Sequence, residues 1–138
     1  CYAVASIHEA LRISLTHGRA QKAADYAFHE SILSDAVASM GCKVTSNMTS
    51  LVVLNLPPEF SGHEMELVQN CRAVGFGIWP TLSAPVQVRI GILNLLTQPA
   101  ITEIVTRFAQ AMNDIGAQVD IDTITADLET HYKSALAA

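Results

Sequence analysis

From Val86 to Leu93 the chain places Val86, Val88, Ile90 and Ile92 on one parity and Gln87, Arg89, Gly91 and Leu93 on the other. Side chains alternate across a β-strand, so this segment predicts a strand with one fully apolar face. Ser50-Leu51-Val52-Val53-Leu54-Asn55-Leu56 predicts a second strand, stopped by Pro57-Pro58. Phe76-Gly77-Ile78-Trp79 predicts a third, and Cys42 to Asn47 fits either a short strand or a bend. Helical spacing governs the rest. Val4, Ile7, Leu11 and Leu15 predict a first helix stopped at Gly18, with that stripe as its apolar side. A second helix is expected from about Arg19 to Met40, with Ala24, Phe28, Ile32, Leu33, Ala36, Val37 and Met40 inward and Gly41 just past its end.

Ser61-Gly62-His63-Glu64 reads as a capping box, opening a helix with Met65, Val68 and Cys71 on its inner side and a stop near Gly75. Thr97 reads as the cap of a further helix, with Pro99 in its first turn, where a missing N–H costs nothing. Its buried stripe is Ile101, Ile104, Val105, Phe108, Met112 and Ile115, and Gly116 ends it. Asp122 to Leu136 completes the pattern as an amphipathic helix with Ile124 and Leu128 inward. The expected order is α-α-β-α-β-β-α-α. Few strands separated by helices imply an α+β fold: a two-layer sandwich with a small, mainly antiparallel sheet and helices packed on one face.

Length and composition narrow the classes. The 138 residues make a single domain able to bury a sizeable core, and 50% of them are hydrophobic with 15% charged. Net charge is -5, from 8 basic and 13 acidic residues without a Lys/Arg cluster, which argues against a nucleic-acid surface. Pro80, Pro85, Gln87 and Arg89 interrupt the longest apolar run, so no membrane span is expected. The 3 cysteines, Cys1, Cys42 and Cys71, lack metal-ligand spacing, and their odd count suits a reducing, cytoplasmic setting. Residue 1 is Cys, and helical spacing begins within a few residues of it. Both point to a piece of a longer protein.

Most candidate chemistry dissolves on inspection. No P-loop, dinucleotide fingerprint, HExxH or nucleophile elbow is present. His8-Glu9, His29-Glu30 and His63-Glu64 are adjacent pairs whose side chains diverge on a helix, so no metal site is expected. Cys71 has core spacing. Lys22, Lys43 and Lys133 lack the apolar setting of a Schiff-base lysine. Arg89 stands apart. A guanidinium in so apolar a strand needs an anion or water, and Gly91 leaves room beside it. Two explanations stay open for the strand alone: a carboxylate or phosphate clamp, because the planar fork meets such groups bidentately, or a structural arginine at a sheet edge. Trp79 either lines a ligand site near Arg89 or packs.

Two local patterns carry a resemblance. Tyr2-Ala3-Val4 leads into Ile7-His8-Glu9-Ala10-Leu11, a stop near Gly18 and a second long helix. Val88-Arg89-Ile90-Gly91-Ile92-Leu93 is followed by a helix carrying Ile101, Ile104, Val105 and Phe108. In this order, up to about Gly116, the chain resembles the C-terminal small domain of class V (fold type I) pyridoxal-phosphate aminotransferases, the alanine–glyoxylate and serine–glyoxylate group. It departs from many of them in filling the path before Arg89 with residues 79–85 instead of a longer glycine-rich loop.

The resemblance implies that residues 1–17 link to a large domain, 18–116 form the small-domain core and 117–138 a helical tail. It implies that Arg89 binds the substrate α-carboxylate; Trp79 and Gly91 stay candidates for lining that site on their positions beside it in the sequence pattern. It further implies pyridoxal 5'-phosphate as cofactor, amino-acid and 2-oxo-acid substrates such as glyoxylate or pyruvate, and a homodimer. The cofactor lysine and the other catalytic and cofactor-binding residues belong to the large domain, so none is expected in this chain, which by itself is inactive. The rival class is a non-catalytic α+β module that binds a small acid or mediates dimerisation.

Overall fold

The computed structural model describes residues 2–45, 50–92 and 97–136. Helices α1 (Tyr2–His17) and α2 (Arg19–Ser39) come first, then strands β1 (Lys43–Val44) and β2 (Leu51–Asn55). A 3₁₀ turn (Pro58–Phe60) precedes α3 (Glu64–Ala73), β3 (Trp79–Pro80), β4 (Val88–Gly91), α4 (Gln98–Asp114) and α5 (Ile121–Leu136). The sheet runs β1-β2-β4-β3 and every pairing is antiparallel. The expected α+β sandwich is therefore observed.

Alternation decides which face is covered. Val52 and Leu54 of β2, with Val88, Ile90 and Ile92, are buried in one cluster with Leu33 and Val37 of α2, Leu67, Val68 and Cys71 of α3, and Ile101, Val105, Phe108 and Met112 of α4. The opposite parity, Leu51, Val53, Asn55, Gln87, Arg89 and Gly91, is only partly buried. Helices thus cover one side of the sheet, and the other side is open among the described residues.

Helix α5 docks on the bundle through Ile124, Leu128 and Tyr132. Tyr132 is hydrogen-bonded to His29 Nδ1 of α2 at 3.1 Å and meets the Phe28 ring edge-on. The start of α5 is capped by Asp120, whose carboxylate accepts the Thr123 N–H at 3.1 Å and its hydroxyl at 2.8 Å. Asn113 braces the connection by exchanging two hydrogen bonds with the Val119 backbone.

Several expectations are corrected. Ser61 does not cap α3: it closes the 3₁₀ turn in an extended conformation, and the helix starts after His63. Gly62 has φ +97, a left-handed conformation that separates the two elements and suits glycine. Glu64 still reaches back, accepting the Gly62 N–H at 3.0 Å. Met65 faces solvent and Leu67 takes its inner place, because the buried stripe runs through Glu64, Leu67, Val68 and Cys71 at helical spacing. Within 76–79 only Trp79 enters the sheet. Val86 is exposed, since β4 begins at Val88. Thr97 flanks α4 without a side-chain cap bond. The α1 stripe is uncovered: Ile7, Leu11 and Leu15 are 61%, 57% and 82% exposed. Leu93 and residues 46–49 lie outside the described residues.

Candidate functional site on the open sheet face

Arg89 lies at the middle of β4, an interior strand, opposite Val53 of β2 on one side and Trp79 of β3 on the other. This excludes the sheet-edge explanation. The side chain is half-buried on the open face. Nη2 donates to the Pro80 carbonyl at 3.0 Å, and Nε is buried without a hydrogen-bond partner. The ion pairs Glu9–Arg12, Glu103–Arg107 and Glu129–Lys133 and the His63–Glu66 contact are each local to one helix or its cap, and none of them involves Arg89. A buried donor without a partner costs about 1–3 kcal/mol, and a guanidinium without an anion leaves its main interaction unused. The site is chemically incomplete in the direction of an anion.

Trp79 and Gly91 share this face. Trp79 is the direct cross-strand neighbour of Arg89, and its ring is exposed. Gly91 stands two residues along β4, opposite Leu51, and is partly exposed. The three residues singled out from the sequence are therefore brought together.

Three further residues belong to the surroundings. Gln87 Nε2 donates to Thr45 Oγ1 and to Asn55 Oδ1, both at 3.0 Å, tying the residue before β4 to the end of β2 and the residue after β1. The Thr81 N–H donates to the Gln87 carbonyl at 2.7 Å, and Thr81 Oγ1 accepts the Gln87 N–H at 2.9 Å. The Pro80 carbonyl receives the guanidinium. No local sequence signal marks Thr81 or Pro80 for this, since the contacts exist only once β3 pairs with β4.

The other candidates are structural. Cys42 and Cys71 are buried, and burial pushes both thiols up to about 12, far from thiolate chemistry at neutral pH. Burial likewise pushes Tyr132 up to about 12. No group of metal-ligating side chains is assembled among the described residues, and none of their helices is long and apolar enough to cross a membrane. A cleft of about 350 Å³ includes Glu59, Phe60, Asp120, Thr123 and Asp127, and another of about 350 Å³ includes Asn55, Glu64 and Pro85. Arg89 lines neither of them.

No family model matches the sequence, and no curated protein matches it significantly. Among solved structures, ureidoglycine–glyoxylate aminotransferase from Bacillus subtilis is similar over 91% of this chain, with a TM-score of 0.79 and 15% sequence identity. The chain shares that aminotransferase's fold. It does so over 34% of the enzyme's length, so the matched region is about a third of the larger protein.

Proposed function

We propose that this chain is the C-terminal, small-domain part of a pyridoxal-phosphate-dependent aminotransferase of the class V type, and that Arg89 binds the α-carboxylate of the amino-acid or 2-oxo-acid substrate. The observation that carries the proposal is Arg89 itself: an interior-strand guanidinium with a buried, unpartnered Nε, on the uncovered face of a fold shared with an aminotransferase. Its open surroundings suit a site completed by another part of the enzyme, with residues 1–17 as the link to the large domain, 18–116 as the core and 117–138 as the tail. Glyoxylate, named for the similar enzyme, is one carboxylate of the required kind.

Arg89 supplies binding and orientation. A bidentate carboxylate contact fixes two substrate oxygens and hence the direction of the bonds at Cα. Nη2 carries two hydrogens, so it can keep the Pro80 carbonyl and still offer one to a substrate oxygen. The described residues do not fit the cofactor. A Schiff-base lysine needs a closed apolar setting, whereas Lys43 is exposed, Lys133 is exposed and paired with Glu129, and Lys22 stands on the half-exposed surface of α2. The chain's share is therefore the substrate clamp, and cofactor chemistry belongs to the large domain of the proposed enzyme.

The test is kinetic. In the full-length enzyme loaded with pyridoxal phosphate, Arg89→Ala is expected to raise the amino-acid KM at least tenfold. Arg89→Lys is expected to recover little of it, because lysine lacks the fork. An unchanged KM in Arg89→Ala overturns the assignment.

A further inference from the structure

We propose that Thr81 is the positioning residue for Arg89, acting through the Pro80–Thr81 peptide unit; the inference rests on the carboxylate role assigned to Arg89 and concerns how that side chain is aimed. A peptide unit is planar, so fixing one end fixes the other. At one end, the Thr81 N–H donates to the Gln87 carbonyl at 2.7 Å. At the other, the Pro80 carbonyl accepts Arg89 Nη2 at 3.0 Å. This is the one hydrogen bond that Arg89's guanidinium makes among the described residues, so the orientation of a single peptide sets the orientation of the fork.

The Thr81 side chain closes the arrangement. Its Oγ1 accepts the Gln87 N–H at 2.9 Å, so backbone and side chain of Thr81 grip both backbone polar groups of the residue that precedes β4. The same hydroxyl lies 3.2 Å from the Ser83 carbonyl and 3.5 Å from the Pro85 carbonyl, so its single proton goes to the excursion between the strands. That excursion needs a clasp of its own: Leu82 is fully exposed, Ser83, Ala84 and Pro85 are exposed, and β3 is two residues long. Gln87 is in turn anchored through its side chain to Thr45 and Asn55. A rigid path therefore runs from β1 and β2 through Gln87 and Thr81 to the Pro80 carbonyl and the guanidinium. A binding group held by neighbours in this way loses less freedom when it meets its ligand.

The test uses the 138-residue chain and the Arg89 Nε–Hε signal in nitrogen-15 NMR, identified by its disappearance in Arg89→Lys. Thr81→Val keeps the shape and removes the hydroxyl, and Thr81→Ser keeps the hydroxyl. In the ligand-free chain, Thr81→Val is expected to move and broaden the Arg89 signal, and Thr81→Ser to leave it near its original position. On titration with sodium glyoxylate, against sodium chloride at equal ionic strength, Thr81→Val is expected to bind about fivefold to tenfold more weakly, and Thr81→Ser within about twofold of the parent. An unmoved ligand-free signal in Thr81→Val overturns the positioning role whatever the ligand does. A parent chain whose Arg89 signal responds equally to chloride and glyoxylate contradicts the carboxylate role instead, and the ligand-free comparison still decides the role of Thr81.

Discussion

Replacing Arg89 with methionine should stabilise the isolated chain slightly, even though it removes a hydrogen bond. Methionine keeps the length of the side chain's apolar stem and drops the guanidinium. Two effects oppose one another. Loss of the Nη2 bond to the Pro80 carbonyl costs about 0.5–1.5 kcal/mol, at the lower end because Pro80 is only half-buried and water can replace the donor. Removal of the buried, unpartnered Nε relieves about 1–3 kcal/mol. The balance is a gain of about 1 kcal/mol, equivalent to roughly 3 °C in Tm for a chain of 138 residues. Urea unfolding followed by circular dichroism measures it, with an unchanged m-value showing that the comparison is like for like. A loss of about 2 kcal/mol or more would refute the reasoning, because Arg89 would then be holding the sheet together. A residue kept at a cost to stability is what a binding role demands.

Other consequences follow from the core and the titratable groups. Phe108 is fully buried at the centre of α4, so Phe108→Ala should cost about 3–5 kcal/mol and abolish a cooperative thermal transition near room temperature. His29 is held below its ordinary value of 6.5, mainly by burial and against the pull of Asp25. The unfolded chain then binds the proton more readily, so stability present above pH 6.5 is lost as the pH falls through and below that value. Urea midpoints between pH 5 and 7.5 should show this slope, and His29→Gln should flatten it. Cys42 and Cys71, raised to about 12 by burial, should resist a thiol reagent at pH 8 in the folded chain and react at once in urea.

Local patterns in the sequence reveal much of this fold and little of its closures. The alternation in β2 and β4 is legible because one face is wholly aliphatic, so register and burial are dictated together. The α4 stripe is legible for the same reason at helical spacing. At Gly41 and Gly116 the backbone does take positive φ where the two helices end. The start of α3 is not legible, because Ser61 and Glu64 satisfy a capping box locally while the 3₁₀ turn at Pro58–Phe60 already uses Ser61. The α1 stripe shows the limit in the other direction: periodicity identifies a helix with an apolar side but does not say what covers it. Within the site, Arg89 stood out because a charge in an aliphatic strand is costly. Thr81 and Pro80 did not, because ordinary loop residues acquire their roles only through strand pairing.

The central claim is that Arg89 recognises a carboxylate, and substrate discrimination tests it most directly. In the full-length enzyme, kcat/KM is measured for an amino acid and for its carboxamide, in the parent and in Arg89→Ala. A charge-assisted bidentate contact worth about 2–4 kcal/mol predicts that the parent prefers the acid by roughly 30-fold to 1,000-fold. Arg89→Ala should erase most of that preference by losing activity on the acid alone. A preference that survives intact in Arg89→Ala would show that the carboxylate is bound elsewhere.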